Sequence, residues 1–123
     1  LPIRNDNAEF YIGDVHYCQS DGEVGGTGIE VTAEITFSAE VCSAPIHKGL
    51  HVTVDNLVYF MGVGSTINDG IAKAFSQGYE ALTHKGINDN LTRLLLAHGS
   101  TLQLIKIGYP NIVAIGIELK YFS

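Results

Sequence analysis

Asp14 and His16 stand two residues apart in the stretch from Phe10 to Cys18. If that stretch is extended, both side chains leave the same face, because successive residues of a strand alternate. An imidazole beside a carboxylate can move a proton, and the same two groups can begin a metal site. Spacing alone completes neither use. Further ligands would have to come from His47 and His51, whose distance from the first strand the sequence does not fix. These histidines are therefore read as hydrogen-bonded or surface side chains, with no metal and no cofactor expected.

The carboxylates Glu30, Glu34 and Glu40 share the polar side of an alternating stretch, where they could meet a cationic partner or calcium. Thr32, Thr36 and Ser38 between them give that side the character of an ordinary solvated sheet surface. His51 and Asp55 take the polar side of the next stretch. Glu30, Glu34, His51 and Asp55 are the binding candidates. No catalytic residue can be assigned: there is no Gly-x-Ser-x-Gly elbow for a serine nucleophile. Gly62-Val63-Gly64-Ser65-Thr66 suggests an anion-binding turn, but Ile67 stands where a dinucleotide loop needs a third glycine, and no lysine precedes the serine.

Cys18 and Cys42 suit a single disulfide, which in an oxidising compartment would stabilise by about 3 kcal/mol. The chain opens Leu1-Pro2-Ile3-Arg4 without methionine, so a processed, secreted protein is expected. Asn90-Leu91-Thr92 is a glycosylation acceptor in such a setting, although Asp89-Asn90 also suits a helix cap.

The elements that must carry these groups follow from periodicity. Residues 1–8 are polar and read as a flexible segment, and 9–123 as one domain. Phe10 to Cys18 predicts a strand, and Ser20 to Gly28, with its glycines, a flexible connection. From Ile29 to Val41 apolar and polar residues alternate without a break, which predicts a half-buried antiparallel strand. A further strand is predicted over Leu50–Phe60, and the glycine turn then leads to a helix with apolar positions Ile67, Ile71, Phe75, Tyr79 and Leu82. Ser65 or Thr66 would cap it. A second helix over 90–98 ends at Gly99, and strands over 101–108 and 112–121 flank a turn at Tyr109-Pro110-Asn111. The fold class is α+β, an antiparallel sheet of four to five strands with two helices packed on one face, a two-layer sandwich.

The whole composition sets outer bounds. In 123 residues, 46% apolar and 16% charged, there is enough core for one domain and too little polarity for disorder. A net charge of -6 argues against nucleic acid. No apolar run approaches the roughly 18 residues of a membrane span.

The stretch from Ile87 to Tyr121, a helix, a glycine and a strand pair carrying Lys106 and Glu118, resembles the closing third of the tunnelling-fold enzymes that handle pterins and purines. That resemblance implies an oligomeric ring with a small-molecule pocket near Lys106 and Glu118. Ile107 stands where those enzymes place proline after the lysine, and the second helix lacks their glutamate. The same tail is similar to that of small exported toxins and fungal effectors. The leading expectation is an exported, disulfide-stapled binding protein of toxin, effector or adhesin type, acting without catalysis on a protein or glycan partner. Self-association through exposed strand edges fits either reading.

Overall fold

The computed structural model describes residues 7, 9, 11–13, 15–40 and 46–123. Expectations placed on Phe10, Asp14, Val41, Cys42 and most of the segment 1–8 lie outside the described residues.

The stretch expected to form one strand over Leu50–Phe60 reverses direction instead. Asp55 takes a left-handed backbone with φ 52°, a conformation that its short polar side chain tolerates better than most. The result is a hairpin of β1 (His51–Val54) and β2 (Leu57–Gly64), with Val54 opposite Leu57. Gly62 and Gly64 belong to β2 rather than to a turn. Thr66 caps α1 (Ile67–His84), its hydroxyl accepting the Asp69 N–H at 3.1 Å. Asn88, one residue before the expected cap, accepts from the Leu91 N–H at 3.0 Å and opens α2 (Asp89–His98). That helix ends at Gly99 with φ -110°, not in the left-handed region. The chain then forms β3 (Thr101–Lys106) and β4 (Asn111–Glu118), joined by a turn with a bulge between Leu104 and Lys106. A turn of 3-10 helix, Leu119–Tyr121, follows.

All pairings are antiparallel and the strand order is β1-β2-β4-β3, so the last strand inserts beside the second. Val58 and Phe60 of β2 and Val113, Ile115 and Ile117 of β4 are fully buried on one face, where they meet Ala74, Ala81 and Leu82 of α1, Leu95 of α2, and Phe122. Burying such side chains contributes roughly 1.5–3 kcal/mol each, the main drive holding helices to sheet. Glycine sets the spacing. A Cβ on Gly62 would stand 1.9 Å from the Gly70 carbonyl oxygen, so α1 and β2 approach to backbone contact.

The two-layer α+β sandwich is thus as expected, a four-stranded antiparallel sheet with two helices. Its membership is not. The predicted strand over Ile29–Val41 takes no place in the sheet: residues 31–40 are exposed on both sides of the alternation and pair with no strand among the described residues. Alternation shows that a segment suits a half-buried sheet; it does not supply the neighbour that buries it.

Candidate functional site

His16 and Glu30 are partners in an isolated antiparallel bridge, secured by the Tyr17 N–H donating to the Ile29 carbonyl at 2.8 Å. The bridge places His16 Nε2 3.4 Å from Glu30 Oε1, with the His16 side chain 20% exposed and the carboxylate 76%. Gly28 lies flat against the ring: a Cβ there would stand 2.5 Å from both His16 Cγ and Nδ1. The imidazole is thus walled on one side and paired on the other, while the carboxylate reaches solvent. An imidazole beside a carboxylate is an arrangement that general acid–base chemistry can use.

The loop between them is anchored. Asp21–Glu23 form a 3-10 turn in which Gly22 (φ 78°) and Glu23 (φ 49°) are left-handed. The Gly22 carbonyl accepts the Ile107 N–H at 2.7 Å, and a Cβ on Gly22 would meet the Ile107 side chain at 2.8 Å. The glycine-rich stretch expected to be a flexible connection therefore docks beyond the end of β3 and holds the bridge against the sandwich. The sequence carried a signal for this, since two strand-like stretches around a glycine-rich loop read as a hairpin. Reading each stretch separately missed the His16–Glu30 contact.

The other candidates are dispersed. Glu34 is exposed on the stretch 31–40, outside the four-stranded sheet. His51 is buried, its Nδ1 3.0 Å from the Gly49 carbonyl and its ring 5.9 Å from that of Phe60, a packing role. Asp55 is the turn residue of the first hairpin. Glu118 pairs with Lys120, and Lys106 lies opposite Ile112, which puts the two expected pocket residues about 20 Å apart along β4. Asn90 is exposed in the first turn of α2. Cys18 is a free, exposed thiol, so the disulfide expected with Cys42 is not formed.

On the sheet face away from the helices, Val52, Val54, Tyr59, Met61, Gln103, Ile105 and Ala114 line an open groove of about 300 Å³. Apart from the Tyr59 hydroxyl and the Gln103 amide, the side chains that line it are apolar. Among the described residues, no three His, Cys, Asp or Glu side chains gather closely enough to hold a metal ion, and no helix is long and apolar enough to cross a membrane.

The described unit is thus a two-layer α+β sandwich with the His16–Glu30 contact held outside its core. The acetamidase/formamidase family model matches residues 1–90, most of the chain and the part containing both His16 and Glu30, and the chain belongs to that family. Its fold is similar to that of the crystal structure of an acetamidase from Bacillus halodurans, with a TM-score of 0.78 at 17% identity over 87% of this chain. The chain spans 37% of the length of that acetamidase chain. No curated protein matches it. Membership of a family named for amide-hydrolysing enzymes overturns the expected non-catalytic toxin, effector or adhesin and its protein or glycan partner. It equally overturns the pterin and purine ring.

Proposed function

We propose that this chain contributes the proton-transfer pair of an enzyme that hydrolyses small amides. The observation that carries the reading is the contact of His16 with Glu30 inside the residues that match the family. In hydrolysis of a primary amide, a water oxygen bonds to the carbonyl carbon and the C–N bond breaks. One water proton must reach the departing nitrogen, so that ammonia and a carboxylic acid result. An imidazole paired with a carboxylate suits that transfer, typically worth a factor of about 10²–10⁴. Formamide and acetamide are the substrates the family name suggests, and the open position of Glu30 gives them access without a deep pocket.

The test is ammonia release from formamide, acetamide and the bulkier benzamide by the purified chain. Hydrolysis of the two small amides is expected, falling at least about 100-fold in His16→Ala and in Glu30→Gln. Rates unchanged by both substitutions would overturn the assignment.

A further inference from the structure

His47 lies on the far side of the core from the His16–Glu30 pair and plays no part in the proposed chemistry. Its Nδ1 accepts the Gly49 N–H at 2.9 Å, so the proton of the neutral ring must sit on Nε2, which faces Glu80 Oε2 at 3.4 Å. The ring edge rests on Phe60 of β2, centroids 5.9 Å apart. The Gly49 carbonyl is held by the second imidazole, and because a carbonyl only accepts, His51 Nδ1 carries the hydrogen of that 3.0 Å bond. Two histidines in opposite tautomers thus clamp one residue, Gly49, through its N–H and its C=O, just before β1.

Gln77 of α1 completes the arrangement. Its Nε2 donates to the Met61 carbonyl at 2.7 Å, which fixes the amide orientation and leaves Oε1 as a buried acceptor with no donor among the described residues. Oε1 and His47 Nδ1 border the same spot: the position of a Cβ on Gly49 is 2.3 Å from the first and 3.0 Å from the second. A second proton on His47 can go only to Nδ1. There it removes the lone pair that accepts the Gly49 N–H and sets two donors against each other. At the same time it creates a donor beside the orphaned Gln77 Oε1 and turns the contact with Glu80 into an ion pair.

We propose that His47 is a pH-operated latch on the segment leading into β1, closed on Gly49 when neutral and turned toward Gln77 when protonated. Among the described residues, α1 sets Glu80 against it, β1 brings His51 to the same Gly49, and β2 packs Phe60 on its ring. His51 does not perform the switch. Its second proton enters at Nε2 and leaves the Nδ1 bond to Gly49 intact.

Nitrogen-15 spectra of the imidazoles and amide hydrogen exchange of the whole chain test this between pH 8 and 5, the span over which imidazoles change charge. At pH 8, His47 is expected as the Nε2–H tautomer and His51 as the Nδ1–H tautomer. Gly49 protection, corrected for intrinsic exchange, is expected to drop at least about tenfold on acidification. In His47→Asn, whose Oδ1 accepts without titrating, that drop should vanish; in Gln77→Met it should move to lower pH. An Nδ1–H tautomer for His47 at pH 8, protection independent of pH in the unaltered chain, or an unchanged drop in His47→Asn would each overturn the proposal. The tautomer reading needs no variant, so the proposal remains testable if a substitution prevents folding.

Discussion

The Tyr79 hydroxyl donates to Asp89 Oδ1 at 2.6 Å, joining the fourth turn of α1 to the first residue of α2. Arg93, one turn further along α2, donates to the other oxygen of the same carboxylate at 2.9 Å. The hydrogen bond from Arg93, and after it that from Tyr79, hold the Asp89 carboxyl below the usual carboxylate range, while the Asp89 bond holds the Tyr79 phenol above its ordinary value. A lowered carboxyl contributes stability present above the unfolded value near pH 4 and lost as pH falls through the folded one. The raised phenol contributes stability present below about pH 10 and lost as pH rises through its folded value. Tyr79→Phe is expected to melt below the unaltered chain at pH 7, with the difference shrinking as pH falls below about 4. Thermal unfolding followed by circular dichroism across that range checks this.

Gly62→Ala is expected to be severe. Its Cβ would fall 1.9 Å from the Gly70 carbonyl oxygen and 2.5 Å from the Ala74 nitrogen, both backbone atoms of α1 that cannot move alone. A loss of about 3 kcal/mol or more, or failure to fold, should appear in urea unfolding. Gly13→Ala is the control: nothing lies within 4 Å of its Cβ, and the change should stay within about 0.5 kcal/mol.

At Asp55, with φ 52°, the decisive property is tolerance of the left-handed region. Asp55→Asn should be close to neutral, whereas the β-branched Asp55→Val should lose about 1–2 kcal/mol. Equilibrium denaturation of the pair separates backbone strain from loss of charge, since both variants remove the carboxylate.

Gly28→Ala links geometry to activity. Its Cβ would strike the His16 ring at 2.5 Å and turn the imidazole away from Glu30. A displacement of about 1 Å at such a group can cost about 100-fold in rate. Amide hydrolysis should fall by about that factor and the His16 ring resonances should shift, with the melting temperature nearly unchanged because the core lies elsewhere.

These positions also mark how far the sequence could be read. The alternation of Val113, Ile115 and Ile117 was legible because burial sets it locally, and the repeat of Ile67, Ile71 and Phe75 marked the helix, although α1 buries Gly70, Ala74, Gly78, Ala81 and Leu82 and leaves those three partly exposed. The break at Asp55 was missed because the apolar residues on either side keep period two through the hairpin, and only the Asp55-Asn56 pair marks the reversal. Gly62 and Gly64 were read as a turn although their purpose is contact with a helix that begins after them. The His16–Glu30 contact depends on a fourteen-residue closure that no periodicity describes. The disulfide was inferred from the presence of two cysteines, which says nothing about whether their thiols meet.

The placement of β4 between β2 and β3 has a consequence for how the molecule is made. On a ribosome the first hairpin and α1 emerge early, but one edge of β2 must wait for residues 111–118, roughly fifty positions later, which is several seconds of translation. Throughout that interval Val58 and Phe60 have their helix but only one neighbouring strand, and the side of β2 that β4 later covers stays open.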